Sequence, residues 1–284
     1  MSLSGTKRNF RHFSILCILY FICLSAVRSQ ELEKVVLQLK WKHQFQFAGY
    51  YAADLMGFYK AEGLEVEFVE GKDVDTIGEV VSGEADFGIA LSDLVLSFAD
   101  GKPVVALATI FQHSPLVLIR RNADATGSIH DMNETRVMLE THSEELEAYL
   151  SEMGVPLKEL IREPYLDPVT SLFEGKVDAI SGYISDEPFR LTQEGMPFQV
   201  NSPRSVGIDF YGDTLFTSLK VLREKPVVVE KFRRASLRGW EYALAHPQLL
   251  LEYILEKWPE KNSEEALLYE AEQIQKLVRN DLVE

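Results

Sequence analysis

Cysteine is almost absent. The 284 residues contain two, Cys17 and Cys23, both within the first 29. Beyond residue 29 a disulfide, a thiolate metal site and a cysteine nucleophile are all excluded. Basic charge is scarce as well: 29 Lys and Arg face 44 Asp and Glu, a net of −15. Phosphate neutralisation needs a basic face, so no nucleic-acid partner is expected. The same acidity disfavours a surface held on anionic lipid. Reactive signatures are missing too. There is no G-x-S-x-G, no H-E-x-x-H, no Walker A loop and no G-x-G-x-x-G after a strand, and no repeat of fixed period. What remains is ordinary globular composition, 46% hydrophobic and 26% charged. The length suits one large domain or two lobes of roughly 100–150 residues each.

The first 29 residues differ in kind. Lys7, Arg8 and Arg11 precede an apolar run over 13–24, followed by Ser25, Ala26, Val27 and Ser29. This is the layout of a secretory signal peptide cut before Gln30, with Val27 and Ser29 at the cleavage positions. Residues 13–27 fall short of the ~20 that span hydrocarbon comfortably; an uncleaved N-terminal anchor is the alternative. Ile22 before Cys23 speaks against lipoprotein processing. Removing this segment takes Lys7, Arg8, Arg11 and Arg28 from the 29 basic residues, leaving 25 against 44 acidic, a net of −19. An exported, acidic, disulfide-free protein fits a bacterial periplasm.

The remainder alternates strand and helix. Residues 35–39 are a β-branched apolar run and 48–62 carry helical spacing that ends at Gly63. A strand at 66–69 follows, then a helix through Val81 capped by Asp73, Asp75 or Thr76. The next elements are a strand at 86–90, a helix at 94–99 capped by Ser92, and apolar runs at 104–110 and 116–119. The second stretch repeats the pattern. Strands at 136–139, 161–164, 179–181 and 198–200 alternate with helices at 144–153, 168–173 and 187–193. Residues 121–135 and 202–207 are polar and turn-rich, and read as crossings between lobes. Leu215–Ser218 re-enters the first lobe, and helices at 226–245, 247–257 and 263–278 pack back on it. The fold expected is α/β, two lobes with mainly parallel sheets flanked by helices. The first lobe takes 30–120, the second 121–210, and 211–284 return to the first.

Ligands of open α/β sheets sit beyond the carboxyl ends of strands. After Leu39 comes an aromatic and amide-rich run leading into a helix. Trp41, Gln44, Gln46 and Tyr50 are the cleft candidates, since flat faces plus paired donors and acceptors suit a planar heteroaromatic ligand. Phe45, Phe47 and Tyr51 are read as core. Ser92, a helix cap, follows the strand at 86–90. Gln112 follows the next, beside His113, which reads as a polar strand-end residue rather than a catalyst. Tyr183 and Glu187 follow the strand at 179–181, where Glu187 can anchor an amine or an aminopyrimidine edge by a charge-assisted bond. Tyr211 and Asp213 mark the second crossing. No carboxylate is spaced to complete a metal site with His43 or His113, and nothing local marks Lys40 or Lys42 for Schiff-base chemistry. The pairs Asp73/Asp75, Glu144/Glu145 and Glu264/Glu265 read as solvated helix starts.

Four runs carry a family resemblance: LQLKWKHQFQFAGYYAADLMGFYKAEGLEVEFVEG, GEADFGIALSDLVL, GKPVVALATIFQHSPLVLI and GIDFYGDTLFTS. In order and spacing they resemble the solute-binding family that includes thiamine-pyrimidine synthases and alkanesulfonate- and thiamine-precursor-binding proteins. The resemblance implies a type II periplasmic-binding-protein fold closing on a small ligand. It also implies delivery to an ABC transporter permease or, as an alternative, a sensing role ahead of a histidine kinase or cyclase. The W-x-x-Q-F-Q-F-A-G-Y-Y form resembles sensor-linked members. By the same resemblance Trp41 and Tyr50 would stack on the ligand, and Gln46, Tyr183 and Glu187 would read its polar edges. A synthase-type enzyme is the remaining alternative. Phe47 stands where synthases of the family carry histidine, and the mature chain lacks their cysteine-rich iron motif, so binding is expected, without a cofactor. The expected ligand is a small, planar, nitrogen-rich metabolite of the thiamine pyrimidine precursor class. Related chains continue beyond the position of Glu284, so the reading frame is expected to continue.

Overall fold

The computed structural model describes residues 31–71, 74–121, 129–132, 135–140, 143–155, 159–162, 166–259 and 263–278. The signal segment at 1–29, Asp73 and most of the polar stretch 121–135 lie outside them.

Among the described residues the first elements are β1 (Glu33–Gln38), α1 (Ala48–Leu55), α2 (Phe58–Ala61), β2 (Leu64–Val69), α3 (Thr76–Ser82), β3 (Phe87–Ala90), α4 (Asp93–Ala99) and β4 (Val104–Thr109). Then come β5 (Leu116–Arg121), β6 (Arg136–Met138), α5 (Glu144–Glu152), β7 (Glu159–Ile161), α6 (Pro168–Phe173), β8 (Ala179–Tyr183), α7 (Glu187–Gln193) and β9 (Phe198–Asn201). It closes with β10 (Thr214–Ser218), α8 (Leu219–Glu224), α9 (Pro226–Ala245), α10 (Pro247–Lys257) and α11 (Glu264–Val278).

Two five-stranded sheets result, ordered β2-β1-β3-β10-β4 and β7-β6-β8-β5-β9. Each is mixed, and in each the reversed strand is the one that follows a crossing. β10 runs antiparallel to β3 and β4; β5 runs antiparallel to β8 and β9. The other described pairings, β1 with β3 and β6 with β7 and β8, are parallel. Parallel neighbours need helical crossovers, which α1–α7 supply on both faces.

Side chains alternate between two cores, as a strand of period two requires. Leu215 joins the cluster under α1, α9, α10 and α11, while Phe216 joins Ile77, Val80 and Leu94 on the opposite face. In the second lobe Leu116 and Leu118 face Leu146 and Tyr149, and Val117 and Ile119 face Leu172 and Leu191. The first lobe is the more aromatic. Phe232 stacks on Phe87 at 3.9 Å and on Tyr59 at 5.1 Å, each pair worth about 0.5–1.5 kcal/mol beyond its buried area. α1 and α9 cross so closely that a Cβ on Gly239 would lie 2.0 Å from the Gly49 carbonyl oxygen.

Three boundaries depart from the sequence reading. The helix expected over 48–62 is two helices, because Gly57 takes a left-handed φ of 69° between them, a conformation that ends helices and favours glycine. The strand expected at 161–164 is found at Glu159–Ile161. The first crossing falls at 110–115, ahead of the polar stretch 121–135. Residues 116–119 are buried on both faces as the fourth strand of the second sheet, so they leave the first lobe to which 30–120 assigned them. The return also runs late: Pro203 is buried and Ile208 packs on the second core, so the chain crosses back just before Thr214.

Candidate functional site

β1 ends at Gln38, whose amide donates to the carbonyls of Leu39 (3.0 Å), Val69 and Glu70 (both 3.2 Å). That brace fixes the turn from which Lys40 leaves the strand end. The Lys40 ammonium reaches the second lobe, where it donates to the Tyr183 hydroxyl and lies 4.9 Å from that ring's centre. It is also 3.9 Å from Asp213 Oδ1. Asp213 sits at the end of the return crossing, its backbone carbonyl accepting from Ile110 (2.8 Å) and Phe111 (3.2 Å). One cation thus bridges a strand end of each lobe and the connection between them.

Amides extend the cluster. The turn Phe45–Phe47 precedes α1, and its first two N–H groups donate to the buried Glu270 carboxyl at 2.8 and 2.9 Å. Held this way, Gln46 donates from Nε2 to Asp213 Oδ2 at 2.6 Å and accepts from Gln44 Nε2 at 3.0 Å. Glu270 belongs to α11, which touches both lobes. The Tyr269 hydroxyl donates to the Ile184 carbonyl (3.0 Å), and the Leu277 carbonyl accepts from Gln112 N (2.8 Å). This last helix packs on the first-lobe core, as expected, and reaches the second lobe as well.

The second lobe contributes carboxyls. Glu187 opens α7 and accepts from the Tyr183 backbone N–H at 2.7 Å. Glu145, in the first turn of α5, accepts from Ser114 Oγ at 2.9 Å and is 3% exposed; it also feels the Ser92 hydroxyl, Lys40 and Asp93 of the first lobe. Glu140 follows β6. Burial pushes Glu145 up to about 7, against the pull of Ser114 and Lys40, and Glu270 up to about 8 despite its two backbone donors. Burial likewise raises Glu140 against the pull of Lys40 and Arg190, with Asp186 and Asp167 adding to the rise. It raises Asp213 against Lys40 and Gln46, and Glu187 with help from Asp186 and Glu140. Charge is disfavoured where water is excluded, and opposing charges only partly restore it.

The structure brings together Gln44, Gln46, Tyr183, Asp213 and, through Glu145, Ser92. Glu187 braces Tyr183 from behind. Trp41 is half-buried against the first-lobe core, with Lys42 Nζ 5.8 Å from its ring centre. Three other candidates lie outside this cluster. Tyr50 is 1% exposed and packs edge-on to Trp240 at 5.8 Å; its ring is core, because α1 turns that face toward α9, and it offers no stacking surface. Gln112 turns back to its own strand, donating to the Thr109 carbonyl at 2.9 Å. Tyr211 is 62% exposed, outside the buried cluster. Phe45, Phe47 and Tyr51 are buried, as expected. His43 stacks on Trp258 at 3.9 Å, and His113 meets Asp209 at 2.9 Å, joining the two crossings.

Sequence reasoning missed Lys40, Glu140, Glu145 and Glu270 as site residues. Lys40 carries a signal, being the second residue past a strand, though a lone lysine there points to no particular role. Glu145 has the sequence context of a solvated helix start; it is buried beside Ser114 and feels Ser92 and Asp93 of the first lobe. Glu270 carried no local signal, since its partners lie 224 and 225 residues away.

Two mixed five-stranded sheets, two crossings and a polar cluster at the strand ends between the lobes define the type II periplasmic-binding-protein fold. The aliphatic sulphonate binding protein SsuA of Escherichia coli shares it, with a TM-score of 0.64 at 12% identity over 84% of this chain and 83% of that one. The chain belongs to the NMT1/THI5-like family, whose model matches residues 44–249. Relatives include the riboflavin-binding protein RibY of Chloroflexus aurantiacus, 27% identical over 81% of this chain and 68% of its own. The formylaminopyrimidine-binding protein of Halalkalibacterium halodurans is 24% identical over 90% of this chain and 81% of its own.

Proposed function

We propose that this protein is a periplasmic solute-binding protein that closes its lobes on a small, planar, nitrogen-rich metabolite and presents it to an ABC transporter permease. The observation that carries the proposal is the Lys40–Tyr183 bridge, beside which amides and carboxyls from both lobes converge in a buried setting. Such convergent polar groups at strand ends orient a ligand without attacking it, and closure of two lobes about connecting segments is a common way to enclose one. Both relatives named above are named as binding proteins, and one of them for a pyrimidine, which supports a thiamine pyrimidine precursor as ligand. The absence of cysteine after residue 29 and Phe47 at the family's histidine position favour binding over synthesis. The WKHQFQFAGYY run keeps open the use of the same closure for sensing, which gene neighbourhood would distinguish.

The test is a thermal-shift and calorimetric panel of 4-amino-5-hydroxymethyl-2-methylpyrimidine, its formylamino relative, riboflavin and alkanesulfonates. A pyrimidine should bind with one-to-one stoichiometry and be recovered unchanged. Chemical conversion of the pyrimidine, or no binding by any of the panel, would overturn the reading.

A further inference from the structure

The charges facing the cleft are unevenly matched. The Tyr183 hydroxyl feels the negative charge of Asp213, Glu140, Glu145 and Asp93, drawn from four separate segments, and the Lys40 ammonium bonds to it beside Asp213. Two of these carboxyls have an oxygen to spare. Among the described residues, Asp213 Oδ1 and Glu145 Oε2 are buried without a hydrogen bond, in residues only 2% and 3% exposed. A buried acceptor left unmet is destabilising. Lys40 approaches Asp213 Oδ1 no closer than 3.9 Å, beyond hydrogen-bond distance, and donates to the tyrosine hydroxyl. Its ammonium also lies close to the Tyr183 ring, the kind of partner a cation takes.

We infer that Lys40 occupies the seat of a ligand's cationic nitrogen, and that the cleft selects ligands carrying an ammonium or amidinium group, which would reach Asp213 Oδ1 and Glu145 Oε2. This rests on the binding function proposed above and specifies its substrate class by charge. The ligand's planar ring would lie outward, toward Trp41, while its cationic substituent displaces the lysine. A shared anchor of opposite charge would also tie the lobes: Asp213 lies at the crossing and Glu145 on the second lobe.

Three probes with one ring test it: 4-aminopyrimidine bearing a 5-aminomethyl, a 5-hydroxymethyl or a 5-carboxyl group, titrated by calorimetry into the full chain at pH 7. The aminomethyl probe should bind at least tenfold more tightly than the hydroxymethyl probe, and the carboxyl probe should be weakest. Proton release should accompany the aminomethyl probe when buffers of different ionisation enthalpy are compared, because a seated cation ionises carboxyls that burial holds partly protonated. Lys40→Met should raise the affinity of the aminomethyl probe at least threefold. Asp213→Asn, checked for a native circular dichroism spectrum, should reduce the preference for the amine at least fivefold. Equal or tighter binding of the hydroxymethyl probe would overturn the charge assignment while leaving the binding function standing. Weaker amine binding by Lys40→Met would overturn the seat assigned to the lysine. Failure of all three probes alongside the failure of the wider panel would overturn both.

Discussion

The two lobes present different chemistry to the space between them. The first sends a cation and amides from one strand end, Lys40, Gln44 and Gln46. The second sends carboxyls and a phenol from three segments, Glu140, Glu145 and Tyr183, with Glu187 holding the backbone of the last. The interiors differ as well. The first lobe is packed around stacked aromatic rings and a close helix crossing; the second is built on two smaller aliphatic clusters. The contrast shows how two lobes divide the work of one polar cluster. The closely packed first lobe holds a hydrogen-bond relay in register, while the second supplies the carboxyls beside it.

The comparison can be broken first at its stiff side. Gly239→Ala would push a methyl against the Gly49 carbonyl and the Ala53 backbone and side chain, and should cost about 3 kcal/mol, the upper range of overpacking, read as a lowered denaturation midpoint. Next in size, Glu270→Ala strands the Phe45 and Gln46 N–H groups. It should cost about 1–3 kcal/mol of stability and weaken ligand affinity by freeing Gln46 from its register; unchanged affinity would remove α11 from the account of the site. Trp41→Ala should weaken ligand binding by about 1–3 kcal/mol through lost stacking with the fold retained, as calorimetry and circular dichroism would report.

The smallest effect tests the carboxyl side. Glu145 and Glu140 have folded pKa values raised above those of the unfolded chain. Their stabilising contribution is therefore complete below the ordinary glutamate range and lost as pH climbs through about 7. Lys40, Ser114, Ser92 and Asp93 face Glu145; Lys40, Arg190, Asp186 and Asp167 face Glu140. The ligand-free protein should melt lower at pH 8 than at pH 5.5, and Glu145→Gln should flatten that dependence. A melting temperature that rises over the same interval with unchanged slope in Glu145→Gln would contradict the burial of this group.

Much of the fold was legible because period and punctuation are local. Apolar runs such as 116–119 announce buried strands, and Pro226 and Pro247 open helices where the chain places them. The crossings were misplaced by polarity: residues 121–135 are polar, yet the chain had already changed sheets before Leu116. Strand-end logic reached three residues that the fold gathers into one polar cluster, Gln46, Tyr183 and Asp213. It did not foresee the burial of Tyr50, since adjacent tyrosines on one helix carry no label for which neighbour will cover them.

By itself the amino-acid sequence determined the alternation of strands and helices, the cysteine-free acidic character of the chain after residue 29, and the strand ends near which a site would form. Those follow from short-range periodicity and composition, which need no partner to be read. Tertiary structure alone decided that Lys40 meets Tyr183 across 143 residues, that Glu270 fixes Gln46 from 224 residues away, and that Glu145 is buried. Burial and charge pairing depend on what the facing lobe brings within a few ångströms, and separation along the chain carries no record of that distance.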